Sequence, residues 1–134
     1  VTVTVNPTLV PTVSIAANNT TICSGAQIDF TSTVTNEGAA PTYQWFRNTV
    51  AISGATNATY STTTAVGGDS YTLRLTSNAT CASPTQVTST PIVITVTTVV
   101  TPTVSLVADK TTICPGETVN FTATGGNGGS SPTY

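Results

Sequence analysis

The chain has 134 residues, three Lys plus Arg, five Asp plus Glu and no His, giving a net charge of −2. That is room for one domain of ordinary size, or for one domain with pieces of others. Three basic residues cannot neutralise a phosphate backbone, which excludes nucleic acid as a partner; no run of about 20 apolar residues exists, which excludes a membrane-spanning helix.

Low charge would suit disorder, but disorder also needs few β-branched and aromatic residues. Here Val, Ile and 33 threonines dominate, a strand-forming composition. Few Lys and Glu with many Thr and Asn fit an extracellular, cell-surface location. Val1-Thr2-Val3-Thr4-Val5 alternates strictly, which is the period of a strand. Strand A is expected over Thr12–Ala16, with Val13 and Ile15 inward. Strand B covers Ala26–Thr35, with Ile28, Phe30 and Val34 inward and Gln27, Asp29 and Thr31 outward. Asn36-Glu37-Gly38 makes the turn. Strand C is Thr42–Asn48, with Tyr43 and Trp45 on one face and Gln44 and Phe46 on the other. A short strand lies near Val50–Ile52, another near Ala58–Thr63. Gly67-Gly68-Asp69 turns into strand F, Ser70–Thr76, with Tyr71, Leu73 and Leu75 inward. The last strand is Gln86–Thr97, with Ile92, Ile94 and Val96 inward. Pro91 inside it suits an edge or a strand that changes sheets.

From Pro102 the pattern begins again. Residues 102–134 align without a gap on residues 11–43, at a spacing of 91 residues, with 18 of 33 positions identical. Val1, Val3 and Val5 fall on Ile92, Ile94 and Val96 at the same spacing. A fixed period of this kind marks tandem repeats. The expected organisation is the last strand of a preceding repeat in residues 1–10, a complete repeat in 11–101, and the first third of another in 102–134. The chain then reads as an excerpt of a longer repetitive protein.

About seven short strands separated by turn signals predict an all-β fold of tandem immunoglobulin-like sandwiches. Trp45 fits the buried strand-C tryptophan. Phe30 and Leu73 stand where antibody-type domains carry an inter-sheet disulfide, so Phe30, Trp45, Tyr71 and Leu73 are the expected core. Tyr71 is also a candidate tyrosine-corner residue. Cys23 precedes strand B and Cys81 follows strand F. With both loops assigned to one end of the sandwich, a Cys23–Cys81 disulfide is expected, with Cys114 pairing beyond residue 134. A disulfide implies an oxidising compartment.

Thr21-Ile22-Cys23-Ser24-Gly25, Tyr43-Gln44-Trp45-Phe46-Arg47-Asn48, Ile52-Ser53-Gly54-Ala55-Thr56 and Asp69-Ser70-Tyr71-Thr72-Leu73, followed by a Cys and a Val/Thr-rich strand, resemble the tandem Ig-like (PKD-like) repeats of Bacteroidota. These occur in very large secreted surface proteins, including the gliding adhesins exported by the type IX system, and they also space catalytic modules in secreted enzymes. The resemblance spans residues 11–101 and both partial repeats. It implies a stalk or adhesin and supplies no catalytic residues.

Catalysis is not expected. Without His, no Ser-His or Cys-His pair can form. The carboxylates Asp29, Glu37, Asp69, Asp109 and Glu117 are scattered, and Asp29 and Asp69 read as surface residues near strand ends. Gly67-Gly68 and Gly125–Gly129 lack the Lys and following helix of a phosphate loop. No metal or cofactor is expected, and the junction Thr97–Thr103 has no carboxylate for calcium. Phe46 is the best candidate for a ligand contact, with Gln44 and Arg74 beside it. Asn18, Asn19, Asn57, Asn78 and Asn120 match the N-x-[ST] pattern, which a Thr-rich chain generates by chance. The expected role is a structural repeat of a long extracellular adhesin or filament stalk, in adhesion or gliding motility. Its partners are neighbouring repeats, surface glycans or other copies of the fibre. The alternatives are a glycan- or protein-binding module and a spacer in a secreted enzyme.

Overall fold

Alternation of β-branched or aromatic residues with small polar ones runs through the chain, and strands form along it. A computed structural model describes residues 1–133. Among the described residues there are twelve strands and no helix, hence no helix long and apolar enough to cross a membrane. The chain divides into two compact units, Val1–Thr98 and Val99–Tyr134.

In the first unit, β1 (Thr12–Ala17) pairs antiparallel with β3 (Ile28–Thr35), which pairs with β6 (Tyr60–Thr62). A second sheet orders β5 (Val50–Ala51), β4 (Thr42–Arg47), β7 (Ser70–Thr76) and β8 (Gln86–Thr88), and β9 (Ile92–Val93) also joins β7. The inward faces of these sheets meet in one core of Ile28 and Phe30 against Trp45, Tyr71 and Leu73, closed by Ile22, Ala65 and Ile94. Trp45, Tyr71 and Leu73 have no exposed surface and Phe30 only 1%. The rings pack tilted against one another, with Phe30–Tyr71 centroids 4.7 Å apart at 35° and Phe30–Trp45 centroids 5.5 Å apart at 46°. Each such pair adds about 0.5–1.5 kcal/mol to area burial. The Trp45 indole N–H donates to Asn57 O at 2.9 Å, so this buried polar atom is satisfied.

The segment expected as one last strand is three. β8 and β9 pair with β7, and β10 (Thr95–Thr97) pairs parallel with β2 (Thr21–Cys23) in a different sheet. Pro91, which has no N–H to offer a ladder, lies at the break. Ser89 repairs the ladder there: its hydroxyl accepts from the Leu73 N–H at 3.0 Å. Residues 1–8 form no strand, and Leu9 makes an isolated bridge to Ala82.

The second unit is a hairpin of β11 (Thr103–Ala108) and β12 (Phe121–Gly126). Every pairing in it, from Thr103↔Gly126 to Ala108↔Phe121, is a β1–β3 pairing displaced by 91 residues. The inward positions are uncovered, however. Phe121 is 66% exposed where Phe30 is 1%. Thr112-Ile113-Cys114 repeats the β2 sequence yet forms no strand, because no counterpart of β10 pairs with it.

Candidate functional site

Strand registers define the two ends of the first unit. At one end lie the start of β1, the end of β3, the start of β4 and the end of β7, through the pairs Thr12↔Thr35 and Thr42↔Thr76. Asn36 donates its amide to Val10 O at 2.8 Å, the Ser77 hydroxyl donates to Asn36 O at 2.7 Å, and the Asn78 N–H donates to Glu37 O at 3.0 Å. The Leu9 N–H donates to Cys81 O at 3.0 Å, so the chain comes in beside Cys81. At the other end the chain leaves along β10. Thr95 N–H donates to Thr20 O at 2.8 Å and Ser24 N–H to Thr97 O at 3.2 Å. Thr97 pairs with Cys23, and its hydroxyl lies 3.8 Å from the Cys23 sulfur.

Cys23 and Cys81 therefore stand at opposite ends, and both are free and exposed, as is Cys114. The expected Cys23–Cys81 disulfide is not formed. The physical reason is strand parity. Cys23 precedes β3 and Cys81 follows β7, and the β7–β8 connection shares its end with the β3–β4 connection. The eight residues of β3 separate the two ends by roughly 25 Å at about 3.3 Å per residue. A disulfide tolerates Cα atoms at most about 7 Å apart.

Gln44, Phe46 and Arg74 are brought together on one face of β4 and β7. Gln44 is the ladder partner of Arg74. The Arg74 guanidinium carbon lies 4.4 Å from the Phe46 ring centroid, a cation–π contact. The Gln44 amide is occupied, donating to Ile52 O at 2.8 Å and Trp45 O at 3.0 Å. Phe46 is half-buried under this stack.

Asp69 is not a surface residue: it is 2% exposed. Its carboxylate takes Arg47 in an ion pair, accepts from the Asn48 amide at 2.8 Å and accepts from the Val66 N–H at 2.8 Å. Its backbone carbonyl accepts from Ile94 N–H at 2.9 Å. Burial pushes this carboxyl up, but Arg47, Val66 and Asn48 outweigh it and hold it below the usual range. One aspartate thus fastens the end of β4, the turn before β7 and the start of β10. The β4–β7 ladder pairs Arg47 with Tyr71 and so sets the cation beside the strand that Asp69 precedes, a relationship that the local sequence does not signal.

Asp29 stays at the surface, half-buried. It accepts from Ser61 at 2.6 Å and Gln27 at 2.7 Å, and these hydrogen bonds lower its pKa. Tyr71 does not form a tyrosine corner, because its buried hydroxyl has no hydrogen-bond partner. Among the described residues no three His, Cys, Asp or Glu side chains converge. Compared with protein-family models and with curated proteins, the chain matches none.

Proposed function

We propose that the first unit is an immunoglobulin-like, tension-bearing repeat of a long extracellular adhesin or stalk, its period 91 residues. The observation that supports this best is the path of the chain. It comes in at one end beside Cys81, leaves at the other beside Cys23, and the strand near its start pairs in parallel with the strand at its end. Tension applied through the two ends pulls β2 and β10 in opposite directions along their length. Their hydrogen bonds are then loaded sideways and together, rather than opened one at a time. The Thr97 hydroxyl, which donates to Ile22 O at 3.1 Å, adds to the same patch.

The displaced register of β11–β12 supports tandem repetition, and the uncovered Phe121 face is where the rest of a second sandwich would pack. Thr-rich, weakly charged composition and the resemblance to Bacteroidota surface repeats support a location outside the cell. The first test is the full-length polypeptide, measured reduced and denatured, with peptide mapping and with protease added to intact cells. Many copies of this pattern, cleaved from outside, are expected. A polypeptide of this length alone, or a few copies beside an unrelated enzyme domain, would contradict the reading. A second reading, ligand binding, is favoured by the Arg74–Phe46 stack. It requires that Phe46→Ala abolish binding to a glycan array with an unchanged melting curve.

A further inference from the structure

We infer that the cysteines link successive repeats: the Cys81 thiol of each repeat bonds to the Cys23-type thiol of the repeat before it. This rests on the tandem reading above and assigns its cysteines.

The two thiols are free, exposed and at opposite ends, and each is tied by hydrogen bonding to the segment that continues the chain. Cys23 pairs with Thr97, the last residue of β10. Cys81 accepts at its carbonyl from Leu9, just ahead of β1. At the 91-residue spacing, the counterpart of Leu9 is Val100, three residues beyond Thr97. Three residues reach at most about 11 Å. Thr98–Pro102 carries no strand, so no ladder fixes the short stretch of chain between the segment tied to Cys23 and the one a Cys81 counterpart would tie. Within one repeat the paired length of β3 holds the two thiols apart.

Cys81 carries a second mark. Its φ is +64°, in the left-handed region, which Gly or Asn occupies far more readily than a cysteine. The backbone at this position disfavours a side chain, yet a thiol is held there at the surface. Cys23 and Cys114 await the following repeats and Cys81 the preceding one, so none of the three is a partner of another.

Formation needs an oxidant, and a small-molecule disulfide such as glutathione disulfide suffices. One cysteine thiolate attacks a glutathione sulfur, forming a mixed disulfide and releasing one glutathione thiolate. The second cysteine thiolate attacks the protein sulfur of that mixed disulfide and releases the other. Two electrons pass to glutathione, and the two thiol protons end on the two glutathione molecules released.

The test is a non-reducing peptide map of the full-length protein, isolated with its free thiols alkylated. Trypsin separates the three cysteines by cutting after Arg47, Arg74 and Lys110. The expected result is that peptide 75–110 is cross-linked to a Cys23-type peptide other than the one containing Cys23 itself. In the full-length Cys23→Ser variant, Cys81 remains cross-linked and the new free thiol lies in the following repeat. A Cys23–Cys81 cross-link, or alkylation of both residues, overturns the inference. If the map shows repeat copies with alkylated cysteines, only this inference fails; if it shows no further copies, the tandem reading fails with it.

Discussion

Asn18 clasps Asp29 across the β1–β3 ladder. Its side-chain oxygen accepts from the Asp29 N–H at 3.0 Å, and its amide donates to the Asp29 carboxylate at 3.2 Å. Ninety-one residues on, Asp109 accepts from the Asn120 N–H at 3.0 Å and from the Asn120 amide at 2.9 Å. The amide and the carboxylate have exchanged places and the clasp is kept. In Asn18→Asp two carboxylates would face each other with no cation between them. This variant is expected to lower the Tm, and Asn18→Asp with Asp29→Asn to restore it. Equal loss in the single and double variants would show that the clasp contributes nothing.

Asp69 gives the fold a defined acid limit. Its carboxyl is held below its ordinary value, so the unfolded chain binds the proton more tightly. The stabilisation is complete above the unfolded pKa of about 3.9 and is lost as pH falls through the lower folded value. Asp69→Asn leaves Arg47, which is 33% exposed, without its partner. The expected cost is about 1–3 kcal/mol at pH 7, less than for a fully buried pair because Arg47 still reaches water. Urea unfolding of both proteins should show that gap constant above about pH 5 and narrowing below about pH 4.

Tyr71 sets an alkaline limit. Burial raises its pKa, so the folded state holds the phenol proton. Its contribution is complete below the ordinary value of about 10 and declines as pH rises beyond it. Since the hydroxyl is buried without a partner, Tyr71→Phe is expected to be neutral or stabilising by up to about 1 kcal/mol. It should also flatten the stability profile above pH 10. A loss of more than about 1 kcal/mol at pH 7 would mean that the hydroxyl is bonded.

Gly38 has φ +85°, and a Cβ there would strike the Asn78 side chain and the Ala79 backbone nitrogen. Gly38→Ala is expected to cost about 1–3 kcal/mol, read as a lower urea midpoint. Gly54, also at positive φ, has open space around it, so Gly54→Ala should cost less.

Phe30 and Phe121 share one sequence context and differ in cover. Phe30→Ala is expected to cost about 3–5 kcal/mol, read as a lower urea midpoint, whereas Phe121, 66% exposed, buries little that its removal could lose.

Much of this architecture was legible in the residues. Ile28 and Phe30, and Tyr71, Leu73 and Leu75, alternate with polar neighbours and are the buried positions of β3 and β7. Strand F matches β7, Ser70–Thr76, in both bounds. What failed were inferences across distance. Alternation says which face a residue takes, not which end of the sheet a loop occupies, and Cys23 and Cys81 were misplaced for that reason. Asp69 follows two glycines, a turn context that reads as solvent; only the β4–β7 pairing carries Arg47 to it from 22 positions away. Thr112–Cys114 shows the same limit locally: the strand sequence is present, and its partner decides whether a strand forms.

The most direct test of the account is single-molecule extension of the full-length protein between its two ends. The proposed tandem array would give a sawtooth with roughly 30 nm gained per event, the extended length of one proposed repeat of 91 residues. Thr95→Pro, which removes the N–H that donates to Thr20, should lower the unfolding force of its repeat. That fall should exceed the one in Gly38→Ala, whose site lies outside the β2–β10 patch. A featureless extension, or equal force loss in both variants, would contradict the claim that parallel β2–β10 pairing bears the load.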